Sequence, residues 1–396
     1  MQEDPIVIVG AARTPMGGFQ GSLASMSAPE LGGYAIQAAI ERAGIYPEDV
    51  EDLIMGLCLF AGVKQAPARQ AAHLAGIPWN AGATTISKMC GSAMKATMLA
   101  HDNILAGSHD IMVAGGMESM TNAPYILPQA RNGYRLGNGD TARDHMFIDG
   151  LEDAFEEGRL MGTFAEDTAE HYQFTREAQD NYAIESLTRA KNAVEDGSFD
   201  QEVVSVTVKT RKGDANISSD EQPFNANIEK IPQLKPAFRK NGTVTPANSS
   251  SISDGAAALV LMKRSEADKR GLSPKAVIHA HSTHSQEPNW FTTAPIGALK
   301  KVLEKTGWTK EEVDLFEVNE AFAVVAMAAM RDLDIPHDKI NVHGGACALG
   351  HPVGASGARI IVTLMSALEK YGLKRGVASL CIGGGEATAV SIERLN

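Results

Sequence analysis

A repeat with a constant offset constrains the fold of this chain more than any other feature of its sequence. Residues 39–50 match residues 302–313, and both ends of the match are 263 positions apart. Each copy has a helical pattern that ends near a glycine and continues into a sheet-like segment. A second pair of segments, 113–116 and 381–384, matches in the same order. A chance match of one short helix is the alternative, but the second pair favours an internal duplication. Two similar sheet domains would then pack about a pseudo-twofold axis, with a site between them.

Strand and helix patterns alternate through the first 120 residues. Apolar runs at 5–10 and 111–114 are typical of buried strands. Apolar periodicity predicts a helix over Ala28–Ala43 that ends at Gly44. This alternation predicts an α/β fold whose sheet is mostly parallel and covered on both faces.

The composition changes after residue 120. Residues 121–248 are more polar, and helices are predicted there over 163–172 and 176–195. The segment is suited to cover a site or to make subunit contacts. We therefore predict three parts, which are an N-terminal half (1–120 plus 249–273), an inserted loop domain (121–248) and a C-terminal half (274–396).

Composition and charge exclude several classes of protein. The formal net charge of -12 over 396 residues argues against nucleic acid as the main partner. No apolar run reaches the roughly 18 residues needed to cross a bilayer, and the acidic start lacks the basic region of a signal peptide. The cysteines are widely spaced without a C-x-x-C pair, so neither a zinc site nor a disulfide framework is predicted. They are Cys58, Cys90, Cys347 and Cys381. We expect a cytoplasmic protein.

Cys90 lies where an extended segment turns into a predicted helix. Residues 84–86 favour extended backbone, and the helical pattern runs over 93–105. Unpaired N–H groups and the positive end of the helix dipole at such a junction lower the pKa of a thiol. This placement predicts that Cys90 is a nucleophile, with a buried structural cysteine as the alternative.

Two polar residues lie at the ends of predicted elements in the C-terminal third. Asn319 comes just after the apolar strand 315–318, where its amide can hold a water or polarise a carbonyl group. The alternative is that Asn319 is the N-cap of the next helix. His351 lies between Gly350 and Pro352, just before another helix. A loop histidine at a helix start is well placed to act as a base, and helix N–H groups nearby suit an oxyanion.

A cysteine and a run of glycines end the last apolar segments. Cys381 closes a predicted buried strand, and Gly383, Gly384 and Gly385 follow it. Glycine lets backbone N–H groups approach a ligand closely. The run is not a phosphate loop, because the G-x-x-x-x-G-K-[ST] spacing is absent.

Taken in order, these motifs resemble the thiolase family over nearly the whole chain. The motifs are Cys90-Gly91-Ser92 and the segments 115–120, 319–322, 350–352 and 381–385. The resemblance implies a duplicated five-layer α-β-α-β-α fold with an inserted loop domain that binds coenzyme A and makes oligomer contacts. It also implies an acyltransferase that condenses two molecules of acetyl-CoA to acetoacetyl-CoA and CoA, and that catalyses the reverse thiolysis.

The resemblance assigns roles to the motif residues. His351 is expected to take the proton of Cys90, whose thiolate forms an acetyl-enzyme, and Cys381 to remove an α-proton from a second acetyl-CoA. His351 and a water held by Asn319 would form one oxyanion hole, and the N–H groups of Cys90 and Gly383 would form the other. No metal and no cofactor are implied, because coenzyme A and acyl-CoA are substrates.

Contacts with coenzyme A or its acyl chain are implied for residues in and beside the inserted domain. They are Ser250, Met161, Phe322, Ala321, Leu160 and Phe224. Two of them depart from the family pattern. Leu160 stands where short-chain biosynthetic members often have a histidine, and Phe224 lies in a stretch where many members have an arginine. The resemblance further implies a homotetramer, built as a dimer of dimers.

Other functions share part of this pattern. A degradative 3-ketoacyl-CoA thiolase of broader chain length has the same catalytic residues and differs only in the width of its pocket. A ketosynthase would carry a second catalytic histidine in place of Cys381, and a catalytically dead scaffold would have lost Cys90, His351 or Cys381. A dehydrogenase requires G-x-G-x-x-G after the first strand, where this chain reads Gly10-Ala11-Ala12-Arg13.

Overall fold

The computed structural model describes residues 3–134, 136–137 and 141–395. The strands are β1 (Ile6–Arg13), β2 (Gly17–Gly18), β3 (Asp52–Gly56), β4 (Thr84–Ile86), β5 (Ile111–Ser119), β6 (Tyr125–Ile126), β7 (Arg143–Asp144), β8 (Val206–Thr210), β9 (Gly213–Ile217), β10 (Ser253–Lys263), β11 (Ala276–Ser285), β12 (Leu315–Val318), β13 (Arg375–Ile382) and β14 (Glu386–Arg394). The α-helices are α1 (Ala28–Ala43), α2 (Pro67–Leu74), α3 (Ser92–Leu105), α4 (Met161–Tyr172), α5 (Arg176–Glu195), α6 (Gln222–Asn225), α7 (Arg264–Lys269), α8 (Ala294–Thr306), α9 (Ala323–Leu333), α10 (Ala346–Leu349) and α11 (Ser356–Lys370).

The ends of α1 follow from its sequence. Ser27 and Glu30 form a capping box at the N-terminus, where each side chain bonds the other's backbone N–H. The helix stops at Gly44, whose φ of 72° is left-handed. Helix α8 stops in the same way at Gly307, with a φ of 70°, 263 residues later. The predicted boundaries of α1 are confirmed, and the two matching segments form the same structure.

One large sheet joins the strands of both copies. Its order is β4-β3-β5-β10-β1-β11-β14-β13-β12, and β2 adds to β10. The centre is a short antiparallel contact between β1 and β11, where Val7 pairs with Val277 and Ile8 with Ala276. Read outward from this contact, β1-β10-β5-β3 corresponds to β11-β14-β13-β12. The order is therefore that of two copies related by a pseudo-twofold axis.

The prediction of a mostly parallel sheet is wrong. β10 runs antiparallel to β1 and β5, and β14 runs antiparallel to β11 and β13. Among the described strands of this sheet, parallel pairing is confined to β3 with β4 and β5, and to β12 with β13. β14 follows β13 through a tight turn, and a hairpin of this kind is necessarily antiparallel. The alternation of strands and helices therefore predicted the direction of pairing correctly only for the outer strands of the sheet.

The second pair of matching segments, 113–116 and 381–384, does not occupy equivalent positions in the two copies. Asp52 on β3 pairs with Met112, and Leu315, which lies 263 residues later on β12, pairs with Gly376. Gly376 is thus the counterpart of Met112. The counterpart of 113–116 is 377–380 rather than 381–384.

Helices and sheet form five layers, which agrees with the predicted fold. Alternate residues of β1 enter different cores: Val7 and Val9 pack with α1 and α2, whereas Ile6 and Ile8 pack with α3 and α11. The far face of the second copy's strands packs with α8 and α9. The buried pair α3 and α11 is therefore the middle layer, between two sheet layers and two outer helical layers.

The two middle helices begin close together. A side chain on Gly357, at the start of α11, would meet the backbone nitrogen of Met94 on α3 at 2.4 Å, so only glycine permits this approach. Cys90 precedes α3 and His351 precedes α11, so the fold brings both loops to one place. Among the described residues, no helix is long and apolar enough to cross a membrane.

Candidate active site

Local hydrogen bonds fix the backbone around Cys90. Met89 takes a left-handed φ of 45°. The hydroxyl of Ser92 donates to the Met89 carbonyl at 2.6 Å and accepts the N–H of Lys88 at 2.9 Å. Cys90 is thereby fixed between β4 and α3, and it is partly buried.

The surroundings of Cys90 raise the pKa of its thiol. Burial raises this pKa to about 11, although the N–H groups of Gly383 and of Cys90 itself lie against the sulfur and favour the thiolate. The carboxylate of Glu118 adds to the rise. The prediction that the helix terminus lowers the pKa of Cys90 is therefore wrong in the absence of substrate, because loss of hydration outweighs the N–H groups. A base must remove the proton.

His351 has one bonded ring nitrogen and one free ring nitrogen. Its Nδ1 lies 2.6 Å from Oγ of Ser356, whose hydroxyl proton points to the carbonyl of Pro352 at 3.0 Å. We therefore assign the ring proton to Nδ1, which donates to Oγ, and the lone pair to Nε2. Nε2 is buried and has no hydrogen-bond partner among the described residues. Burial lowers the pKa of His351 to about 3, with a contribution from the positive Arg359, so the ring is a neutral acceptor at pH 7.

Asn319 lies behind His351 and has a fixed amide. Its backbone N–H donates to the carbonyl of Ser379 at 3.0 Å. Its Oδ1 accepts from Nη2 of the buried Arg359 at 3.3 Å. Nδ2 lies 3.5 Å from His351 Nδ1, and because both atoms are donors in the assigned tautomer this is a contact rather than a hydrogen bond. The next helix begins at Ala323, with Phe322 as its N-cap. The N-cap alternative for Asn319 is therefore wrong.

Cys381 lies at the end of β13, before the turn into β14. It pairs with Ala387 across the hairpin and is fully buried. Gly384 and Gly385 take φ values of 90° and 91°, which L side chains rarely adopt. The pKa of Cys381 is well above its ordinary value because of burial and the proximity of Cys90. The turn thus brings the Gly383 N–H, and behind it the second thiol, close to Cys90.

A cleft of about 320 Å³ opens over these groups. Its lining includes predicted residues from both copies and from the inserted segment: Cys90, His351, Gly383, Ser250, Met161, Ala321 and Phe322. The N–H of Ser250 donates to the Ala321 carbonyl at 2.9 Å. The loop that contains Ser250 and the residues after β12 therefore form one wall of the cleft. Residues 90 and 383, which are 293 positions apart in the sequence, meet there.

Other predicted site residues do not line the cleft. Asn319 and Cys381 are buried behind it. Leu160 precedes α4 and forms a β-bridge with Glu152. Phe224 lies on α6 with half of its surface exposed. Contacts of Leu160 and Phe224 with coenzyme A remain predictions.

Residues 6–265 match the family described as "Thiolase, N-terminal domain", and residues 272–394 match "Thiolase, C-terminal domain". The chain belongs to the thiolase family. Together the two matches cover almost all of the sequence, including every motif on which the resemblance was based.

Named relatives of this thiolase are similar over their full length. The acetyl-CoA acetyltransferase of Cupriavidus necator is 47% identical over 391 residues, which are 98% of this chain and 99% of that protein. The crystal structure of the Bacillus anthracis acetyl-CoA acetyltransferase has a TM-score of 0.96 at 41% identity and covers 99% of both chains. The Acat5 thiolase from Ascaris suum, in complex with coenzyme A, has a TM-score of 0.93 at 41% identity, covering 99% of this chain and 100% of that one. The predicted thiolase fold is confirmed.

Sequence reasoning missed part of the site of this thiolase. Residues 148–152 form one wall of the cleft, and most of them belong to a short π-helix, Phe147–Leu151, which the sequence analysis did not predict. Glu118 is buried and accepts N–H groups of Cys58 at 3.0 Å, Leu59 at 3.2 Å and Gly354 at 2.9 Å. It therefore ties the loop after His351 to the loop after β3. Burial raises the pKa of Glu118 to about 7. The sequence signal that could have identified Glu118 is its position in the 115–120 motif.

Proposed function

We propose that this chain is an acetyl-CoA C-acetyltransferase, which condenses two molecules of acetyl-CoA to acetoacetyl-CoA and CoA and catalyses the reverse thiolysis. One observation carries the proposal. The Cys90 thiol, a neutral His351 with an unpartnered Nε2, and the Gly383 N–H meet in a single cleft. The printed names of the relatives support acetyl-CoA as the substrate and an acyltransferase reaction.

The first half-reaction transfers an acetyl group to Cys90. Nε2 of His351 takes the thiol proton while the sulfur attacks the thioester carbonyl carbon. The resulting oxyanion is stabilised by the N–H groups of Cys90 and Gly383, each contributing about 3 kcal/mol to the transition state. Collapse breaks the bond to the coenzyme A sulfur, which leaves with the proton from His351. Since both groups are neutral at rest, the proton transfer accompanies the attack of the sulfur on the thioester.

The second half-reaction forms the carbon–carbon bond. Cys381 gives its thiol proton to Nε2 of His351, and the resulting thiolate removes an α-proton from a second acetyl-CoA, whose enolate attacks the carbonyl carbon of acetyl-Cys90. His351 and a water on Asn319 stabilise the enolate oxygen. The thiolate of Cys90 is expelled and takes the proton from Nε2 of His351, and acetoacetyl-CoA is released. Burial of Cys381 supports this role, because an unsolvated thiolate of high pKa is a strong base.

The hydroxyl of Ser356 suits both half-reactions. When it donates to Pro352, it accepts from Nδ1 and leaves Nε2 of His351 as a base. In the second half-reaction Nδ1 still donates to this hydroxyl, while Nε2 carries the proton from Cys381 and becomes a donor for the enolate oxygen.

Large apolar side chains near Cys90 support a preference for a short acyl group. Met161, Phe291 and Phe322 line the cleft. Phe322 packs edge to face on Phe238 with 6.1 Å between ring centroids, and Phe238 lies directly against Gly162. These side chains cannot move away from the cleft without disturbing the packing of the core behind them.

Assembly, location and cofactors complete the proposal. We propose a homotetramer, supported by exposed apolar residues of the inserted segment such as Tyr125, Leu127 and Phe155. A cytoplasmic location is consistent with the cysteines, which are all free. Coenzyme A and its thioesters are proposed as substrates, and the steps above need no metal and no further cofactor.

The proposal is tested by coenzyme-A-dependent thiolysis. Rates on acetoacetyl-CoA are compared with rates on a medium-chain 3-oxoacyl-CoA. A strong preference for acetoacetyl-CoA is expected. Equal or faster cleavage of the longer substrate would contradict the acetyl specificity and favour the degradative thiolase instead.

Matched cysteine variants test the mechanism itself. Cys90→Ser should abolish thiolysis and trapping of an acetyl group from labelled acetyl-CoA. Cys347→Ser is the control, because Cys347 does not line the cleft and contacts the Glu320 carbonyl at 3.7 Å. Full activity and labelling in Cys90→Ser would contradict the covalent mechanism.

A further inference from the structure

Three side chains with metal-binding groups meet away from the cleft. His101 and Asp102 lie near the end of α3, and His281 lies on β11. Oδ1 of Asp102 is 3.0 Å from Nδ1 of His101 and 2.8 Å from Nε2 of His281. The two imidazole rings meet edge to face, with 5.1 Å between centroids. Asp102 and His281 are 179 residues apart, so no spacing pattern in the sequence predicted this cluster.

We propose that His101, Asp102 and His281 form a binding site for a divalent transition-metal ion of the Zn²⁺ type. Two imidazoles and one carboxylate are ligands that Zn²⁺ and the neighbouring divalent ions prefer, whereas Mg²⁺ and Ca²⁺ prefer oxygen ligands. The inference is independent of the proposed acetyltransferase function.

The spacing of the ligand atoms is close to that of a tetrahedral site. The candidate ligand atoms all lie within 4.8 Å of one another. Bonds of about 2.0–2.1 Å at tetrahedral angles place ligand atoms about 3.3 Å apart. The observed 2.8 and 3.0 Å to Asp102 must open slightly to admit an ion, and the two imidazole nitrogens, which lie within 4.8 Å of each other, can close toward it. An approach from solvent is present, because the Asp102 side chain is about half exposed.

The environment of the histidines favours a bound cation. His101 is 4% exposed, and its ring is packed edge to face on His281, so the two imidazoles are held beside Asp102. Asp102 contributes the one negative charge. The opposing positive group is Lys305, whose Nζ donates to the His281 carbonyl at 2.8 Å.

The position of the cluster indicates a structural ion rather than a catalytic one. Cys90 lies two residues before helix α3, and the ten helical residues from Ser92 to His101 span roughly 14 Å. An ion there would link helix α3 of the middle layer to strand β11 of the second copy. It would raise stability by binding only the folded chain, without contacting the substrate.

The test measures Zn²⁺ binding to the full-length protein in a Cys90→Ser background, so that the active-site thiol does not bind the ion. A chromophoric chelator competes for Zn²⁺, and Co²⁺ absorption reports the ligands. The variants are Asp102→Asn and His281→Gln. The control is His279→Gln, since His279 lies on the same strand but pairs with Glu393 at 3.0 Å.

We expect one Zn²⁺ per chain and a rise in Tm with Zn²⁺. Affinity should fall roughly tenfold or more in Asp102→Asn and His281→Gln, because even outer-sphere partners contribute that much, and it should be unchanged in His279→Gln. The Co²⁺ spectrum should lack thiolate charge-transfer bands. No binding, or equal affinity in all variants, would overturn the proposal, as would a thiolate spectrum. Circular dichroism of each variant checks that it is folded.

Discussion

Removal of the Ser356 hydroxyl tests how the imidazole of His351 is held. Ser356→Ala deletes the acceptor that lies 2.6 Å from Nδ1. His351 must then leave a buried Nδ1–H unpaired or move its proton to Nε2, which abolishes the free lone pair that activates Cys90. Either choice disfavours the reactive state of the enzyme.

The size of the effect follows from the burial of the bond. His351 is 7% exposed and Ser356 is fully buried, so no water replaces the lost partner without rearrangement. Leaving a buried donor unpaired costs about 1–3 kcal/mol. Because 1.36 kcal/mol corresponds to tenfold in rate, kcat/KM should fall roughly 5- to 150-fold.

The assay is thiolysis of acetoacetyl-CoA, together with the rate at which iodoacetamide alkylates Cys90. Both rates should fall in Ser356→Ala. Ser282→Ala is the control, because Ser282 is equally buried and donates to the Ala298 carbonyl at 2.7 Å outside the cleft. Both variants should lose about 1 kcal/mol of unfolding free energy.

The reasoning is refuted if Ser356→Ala keeps kcat/KM within about twofold of the parent while its stability falls as expected. An equal loss of rate in Ser282→Ala would also refute it, since the effect would then be a general consequence of a destabilised core.

Four further predictions follow from the site. The alkylation rate of Cys90 should keep rising above pH 9, because burial raises the pKa of its thiol to about 11; a plateau below pH 9 would contradict this. Unfolding free energy should fall as pH drops below about 6.5, since the unfolded imidazole of His351 then binds a proton that the folded one, with a pKa of about 3, does not. His351→Gln should flatten Tm measured against pH in this range, and an unchanged slope would count against the assignment. Gly385→Ala should lower both kcat and Tm, because its φ is 91° and the new Cβ would lie 2.3 Å from a backbone carbonyl oxygen. Gly372→Ala, with a φ of 65° and no atom within 4 Å, is the control and should lower Tm less. Met161→Ala should raise the rate on medium-chain relative to acetoacetyl substrates, since Met161 lines the cleft; an unchanged ratio would mean that another residue limits chain length.

Local sequence signals determined the helix boundaries and many positions in the site. A capping serine and a terminal glycine define α1, and the prediction of a helix over 176–195 coincides with α5. The thiol, the loop histidine and the glycine run were recognised because each follows or precedes an element whose end is encoded by adjacent residues. Such signals act over a few residues and do not depend on the rest of the chain.

Tertiary structure alone decided the direction of the strands, the acidity of the thiol and the partners of the imidazole. Strand direction depends on which strands pair, and β10 returns to β1 across more than two hundred residues. The pKa of Cys90 rises because distant elements exclude water, which outweighs the helix terminus that the sequence shows. The cluster of His101, Asp102 and His281 likewise exists only because α3 packs on β11. Hydration and long-range contact are properties of the packed chain, and no local pattern encodes them.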